Sequence, residues 1–258
     1  MLGAIAGDII GSVYERNNIK TKSFELFTSK SKFTDDSVLT FATMDSIVNG
    51  KSFNQSYKQW FKSYPYAGFG ESFKKWGMSE KTEPYNSYGN GSAMRVSPIG
   101  FYYNSLDEVL MRAEESAIVT HNHPEGIKGA KATAAAIFLA SSGRGKVEMK
   151  NYIEETFGYN LSENIDSIRT WYRFDVSCKG SVPQGIKSFL ESDSYEDAIR
   201  NAISIGGDSD TIACITGGIA EAFYKKIPEY ITQAAKELLT KEMKKILEIF
   251  YTQRGRNI

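Results

Sequence analysis

The sequence predicts an all-α protein. Apolar residues recur at helical spacing along most of the chain, hydroxyl and carboxylate caps mark several helix starts, and signals for strands are scarce. No linker rich in Pro, Gly or Ser and no block of like charge divides the 258 residues, so residues 1–258 read as a single domain.

Leu2 to Tyr14 forms a helix crowded with small residues, Gly3, Ala4, Ala6, Gly7 and Gly11. Glycine weakens a helix, so this many imply close packing against another backbone at the centre of the fold. Glu15 leaves that helix, and Arg16 to Ser31 reads as a long loop or flap, a length that often carries function. Val38, Leu39, Ala42 and Ile47 place a helix over Asp36 to Val48, ended by Asn49-Gly50, with Thr34 and Asp35 at its start. Phe53 to Tyr64 is a further helix. An aromatic stretch follows, in which Tyr64, Tyr66, Phe69, Phe73, Trp76, Tyr85 and Tyr88 serve chiefly as anchors.

Gly68-Phe69-Gly70 precedes a short helix, Glu71 to Trp76, an arrangement in which free backbone N–H groups can hold phosphate oxygens, although a simple turn is the ordinary reading. Tyr88 to Ser92 is a dense turn into the helical run Ala93 to Val96, which Pro98 ends or kinks. Ser105 opens a helix to about Val119, and an Ala-rich helix runs from Gly126 to Ala140. Between Lys146 and Phe189 the pattern gives only short pieces around Tyr152, Ile165 and Ile186, with a turn at Gly180 to Pro183. Ser194 and Asp197 cap Tyr195 to Ile205. Ile212 to Tyr224 is small and apolar like the opening helix, and the two are expected to pack together. Pro228 starts the last amphipathic turns, which end with Lys241 to Phe250.

Lys+Arg and Asp+Glu balance at 31 each, so no global field draws nucleic acid or an anionic membrane. The apolar opening lacks a basic n-region and is interrupted by Asp8, which excludes both a signal peptide and a membrane span. Two cysteines, Cys178 and Cys214, without metal spacing fit reduced thiols in the cytoplasm. The only histidines are His121 and His123, which leaves no set of His and Cys ligands for zinc and favours hydrogen-bonding roles for both.

Two acidic clusters stand out. Gly206-Gly207-Asp208-Ser209-Asp210-Thr211 places carboxylates and hydroxyls directly after a glycine pair, whose access to positive φ tightens the turn and lets the Asp side chains converge. Thr34-Asp35-Asp36-Ser37 repeats that chemistry upstream. Converging carboxylates repel, and a hard cation relieves the repulsion. The Asp208 cluster is not an EF-hand, since Ile212 and Ala213 occupy positions that need an oxygen ligand and a Gly. Each cluster alone also reads as a helix N-cap, a reading compatible with a metal site.

Gly3 to Gly7 running to Glu15, Thr34-Asp35-Asp36-Ser37, Tyr88-Gly-Asn-Gly-Ser-Ala-Met-Arg95, Thr120-His121 and Gly206-Gly-Asp-Ser-Asp-Thr-Ile-Ala213 together resemble the ADP-ribosylglycohydrolase family. The resemblance spans about Leu2 to Tyr224. It implies an orthogonal helical bundle around two Mg2+ or Mn2+ ions, and hydrolysis of the bond between ADP-ribose and an ADP-ribosylated protein side chain, by arginine or serine linkage, or an ADP-ribose-containing small molecule. By motif, Thr34, Asp35, Asp36, Asp208, Asp210 and Thr211 would ligate the metals, and Asp35, Asp36 or Glu15 would act as base. Gly68, Gly70, Ser87, Tyr88, Asn90 and His121 would contact ADP-ribose, with Tyr88 stacking adenine and Gly68 and Gly70 holding pyrophosphate. The alternative is a non-catalytic module that binds ADP-ribose or blocks a partner on the same fold.

Overall fold

The computed structural model describes residues 1–255, and the last three positions of the expected domain, 256–258, lie outside the described residues. In chain order the helices are Leu2–Gly11 (α1), Asp35–Asn49 (α2), Phe53–Ser63 (α3), Glu71–Met78 (α4), Gly91–Met94 (α5), Ser97–Tyr102 (α6), Leu106–Ile118 (α7) and Pro124–Ser141 (α8). They continue as Lys146–Phe157 (α9), Ile165–Trp171 (α10), Cys178–Leu190 (α11), Tyr195–Ser204 (α12), Ser209–Tyr224 (α13), Glu229–Glu237 (α14) and Lys241–Gln253 (α15). The described residues hold no strand, only an isolated bridge between Gly89 and Ser177, so the architecture is all-α as the sequence predicts.

Side-chain caps start many of these helices. Thr34, Ser52, Ser105, Asn164, Ser177, Ser194 and Thr240 each accept a hydrogen bond from a backbone N–H in the following turn, satisfying donors that the helix itself leaves open. Pro98 lies in the first turn of α6 and opens that helix, where its missing N–H costs nothing.

One expectation fails. Gly180 to Pro183 is not a turn but part of α11, which Ser177 caps and which buries Val182, Ile186 and Phe189 on one face. That apolar face, packed against α13, outweighs the backbone hydrogen bond that Pro183 removes.

Every residue of α1 is buried, and α1 lies along α13 as its small residues imply. A Cβ on Gly7 would stand 2.1 Å from the Ala213 carbonyl oxygen, and one on Gly217 would stand 2.2 Å from that of Gly3. The two helices therefore touch backbone to backbone, which brings Asp8 of α1 close to the start of α13. Residues 16–31 carry no helix, yet they are fastened down. Arg200 Nη1 donates to the Lys22 and Phe24 carbonyls at 2.9 and 3.0 Å, and Tyr14 Oη donates to the Glu25 carbonyl at 2.6 Å.

Gly7→Ala should lower stability by roughly 1–3 kcal/mol in chemical denaturation. Forcing the helices apart outweighs the helix propensity that alanine adds.

Candidate active site and metal centre

The first acidic cluster is set by a carboxylate that lies outside both sequence motifs. Asp8, fully buried in α1, accepts the Thr34 N–H at 2.9 Å and the Ser37 N–H at 3.0 Å on Oδ2, together with the Ser37 hydroxyl. Its Oδ1 accepts the Thr34 hydroxyl at 2.6 Å. Asp8 thus caps α2 from a different helix; burial pushes its carboxyl above the ordinary range, and the hydrogen bonds from Ser37 and Thr34 offset part of that rise. Thr34 also caps α2 itself, through the Asp36 N–H. The N-cap reading of the Thr34 cluster is therefore realised.

The second cluster rests on the glycine pair. Gly206 and Gly207 adopt φ of +70° and +80°, a conformation that side-chain-bearing residues strain to reach. Asn18 clamps this turn from the loop after α1: its Oδ1 accepts the Gly207 N–H at 2.6 Å and its Nδ2 donates to the Gly207 carbonyl at 2.9 Å. Asp208 then precedes α13, with Asp210 and Thr211 in the first turn. Asn90 Nδ2 donates to Asp208 Oδ2 at 2.7 Å and holds that carboxylate in place.

The clusters meet. One carboxylate oxygen from each of Asp8, Asp36 and Asp210 lies within 4.8 Å of the others. The three differ in what remains to be satisfied. Asp8 already accepts four hydrogen bonds, whereas Asp36 Oδ1 is buried without any partner. An orphaned carboxylate oxygen among other carboxylates fits a cation, and Asp36 and Asp210 are better placed to hold one than Asp8.

Electrostatics agree. Burial, followed by the neighbouring carboxylates, pushes Asp36 and Asp210 well above the ordinary range, and the same causes raise Asp35 to about 8. Burial raises Asp208, and burial with the Asp208 charge raises Glu15. No cationic side chain is among the leading influences on Asp36 or Asp210.

These groups open onto a cavity of about 1070 Å³. Its wall includes Glu15, Thr34, Asp35, Asp36, Asp208, Asp210 and Thr211, and also Gly68, Gly70, Ser87, Asn90 and His121. Gly68 has φ of +116°, and a Cβ there would stand 2.9 Å from Asp35 Oδ1, so this position needs glycine twice over. Tyr88 is the exception. The residue is 58% exposed and its ring faces the His123 ring at 5.6 Å, while its neighbours Ser87 and Gly89 line the cavity. Tyr85, Phe174 and Val176 supply the aromatic and apolar wall instead. His123 Nδ1 accepts the Glu125 N–H at 3.1 Å and caps α8, a structural role.

Asp8 was legible only as an interruption of an apolar helix. The available signal was a lone charge flanked by residues too small and apolar to pair with it, since a buried carboxylate must find donors elsewhere.

The chain matches the ADP-ribosylglycohydrolase family over residues 1–257. It is 26% identical to mouse ADP-ribosylhydrolase ARH3, the match covering 92% of this chain and 86% of that protein. A putative ADP-ribosyl glycohydrolase L543 of Acanthamoeba polyphaga mimivirus is also 26% identical, with 88% of this chain and 87% of the viral protein covered. Among solved structures, a chain of an ADP-ribosylglycohydrolase-related protein complex shares the fold with a TM-score of 0.69 at 19% identity, over 97% of this chain and 96% of that one.

Asp8→Asn would turn an amide N–H toward donors and should cost at least about 3 kcal/mol in urea unfolding. The raised carboxylates favour protonation in the folded chain, so their contribution is full below the unfolded value near 3.8 and is lost as pH rises toward about 8. A divalent cation held by these carboxylates would offset that loss. Mg2+ or Mn2+ added to chelator-treated protein should therefore raise the melting temperature more at about pH 8 than at about pH 5.

Proposed function

Because the chain belongs to the ADP-ribosylglycohydrolase family, we propose that it hydrolyses the glycosidic bond joining ADP-ribose to an ADP-ribosylated substrate, a protein side chain in arginine or serine linkage being the preferred acceptor. The observation that carries this reading is the orphaned Asp36 Oδ1 among converging carboxylates at the wall of a cavity large enough for a dinucleotide-sized ligand.

In this reading Thr34, Asp35, Asp36, Asp208, Asp210 and Thr211 would hold two divalent cations, Mg2+ or Mn2+. Such ions supply Lewis-acid polarisation of oxygen ligands and offset the crowded negative charge. Asp8 orients Thr34 and Ser37 through its four hydrogen bonds, and Asn90 orients Asp208. Gly68, Gly70, Ser87 and His121 line the space for ADP-ribose, and Tyr85 is better placed than Tyr88 to lie against it.

Asp35 and Glu15 are each partly exposed at the cavity wall, which suits either to take the proton of the attacking water. Asp36 is 2% exposed, which suits it to ligation more than to proton transfer. The reaction passes through an oxocarbenium-like state, and carboxylates beside the ribose stabilise its positive charge. Both cysteines are free and buried, in keeping with a cytoplasmic protein, and among the described residues no helix is long and apolar enough to cross a membrane.

The test is release of free ADP-ribose from arginine- and serine-linked substrates with Mg2+, with Mn2+ and with EDTA. Metal-dependent release is expected, reduced at least about 100-fold in Asp210→Asn with the circular dichroism spectrum unchanged. Tight binding of ADP-ribose with no release from either substrate would favour a non-catalytic ADP-ribose-binding module.

A further inference from the structure

One side chain ties the segment that carries Glu15 to the turn that carries Asp208. Asn18 follows Glu15 by three residues, and its carboxamide meets Gly207, the residue before Asp208. Oδ1 accepts the Gly207 N–H at 2.6 Å, and Nδ2 donates to the Gly207 carbonyl at 2.9 Å. Nδ2 also donates to the Tyr14 and Glu15 carbonyls, each at 2.8 Å. These partners fix which way the amide points, since the Gly207 N–H needs its oxygen and three carbonyls need its nitrogen.

The turn depends on partners of this kind. Gly206 and Gly207 both stand at positive φ, where a glycine backbone is free to take several shapes, so contacts from outside the turn select one. Tyr172 packs against Gly207, where a Cβ would stand 2.3 Å from its ring, and Lys20 Nζ donates to the Ile205 and Tyr172 carbonyls. Asn18 is the group that takes the Gly207 N–H and joins it to the Glu15 segment. After burial, the Asp208 charge is the largest influence that raises Glu15, so the two carboxylates linked in this way are near enough to affect each other. Asn17 belongs to the cavity wall and Asn18 does not, so Asn18 is placed to act through its neighbours rather than on a ligand. Asn18 is also exposed, and its removal opens no cavity in the core.

We propose that Asn18 is a positioning residue that holds Glu15 and the Asp208 turn at a fixed separation, so that the candidate base and the second acidic cluster keep one geometry. That Glu15 acts on a substrate rests on the function proposed above. The hold on the Asp208 turn is read separately, by metal binding.

The full chain, stripped with EDTA, is titrated at neutral pH with Mn2+ alone, free Mn2+ being followed by electron paramagnetic resonance. Asn18→Ala should weaken Mn2+ binding about tenfold, the loss expected when a group that orients a metal ligand is removed, while the melting temperature of the metal-free chain moves by no more than about 4 °C. Lys20→Met, which removes another fastening of the same loop, should leave the affinity within about threefold of wild type. At saturating Mn2+, Asn18→Ala should lower kcat for ADP-ribose release from an arginine- or serine-linked substrate at least about tenfold with KM within about twofold, the split expected of a residue that touches no ligand.

Wild-type Mn2+ affinity in Asn18→Ala overturns the proposal. So does an equal loss in Lys20→Met, or a loss accompanied by a larger fall in melting temperature, since either marks general loosening of the loop. A wild-type kcat in Asn18→Ala removes Glu15 from the proposal, and a wild type that binds no Mn2+ overturns the whole of it. If wild type binds Mn2+ but releases no ADP-ribose, the proposed function fails, while the Mn2+ comparison still decides whether Asn18 holds the Asp208 turn.

Discussion

The site depends on one buried carboxylate. Asp8 sits inside a helix with no exposed residue, where an unpaired charge would cost several kcal/mol, and the donors it bonds are those at the start of α2. The four hydrogen bonds it accepts fix the entry of α2, and with it the direction in which Thr34, Asp35 and Asp36 leave the backbone. The same contact requires α2 to lie against α1, so the position of the first acidic cluster and the packing of the core follow from a single interaction.

The second cluster is brought to the first by the absence of side chains. Gly3, Gly7 and Gly217 let α1 and α13 meet at backbone distance, closer than helices usually approach when Cβ atoms intervene. Because the start of α13 passes the end of α1, where Gly11 lies against Ser209 and Asp210, Asp210 arrives beside Asp8 and Asp36. The glycine pair at 206 and 207 then turns the chain sharply enough for Asp208 to join them, and Asn18 holds that turn from the loop that also carries Glu15. Small residues here act as geometry, setting how near two sets of carboxylates can come.

Much of this was legible in the sequence, because helical periodicity, caps and the glycine-rich faces of α1 and α13 are local signals with direct physical causes. The pairing of α1 with α13 followed from composition alone, and the positive φ of Gly206 and Gly207 from the needs of a tight turn. What escaped were features decided by tertiary partners. Pro183 reads as a breaker until the buried face of α11 is seen to outweigh it. Asp8 reads as an interruption because its donors lie 26 and 29 residues away in the chain. Tyr88, between two cavity-lining residues, turns outward to His123, and side-chain direction in an irregular turn has no periodicity to betray it.

The acidic centre also runs against the logic of the rest of the core. At the seam around the start of α1 buried polar groups are matched: Glu221 accepts from the Gly3 N–H and Tyr195 donates to the Gly3 carbonyl, so even the α1 backbone is satisfied where it meets these neighbours. Asp36 and Asp210 are instead held close enough to oppose each other's ionisation, by helices whose positions are set by other contacts, and a chain selected for stability alone would replace them. Their retention within an otherwise consistent core fits a place where stability has been given up for chemistry. The rigid surroundings make that possible, since carboxylates that could relax apart would relieve the repulsion by moving rather than by gathering cations. Asp8 belongs to this frame, for its hydrogen bonds hold the neighbouring carboxylates where the repulsion is greatest.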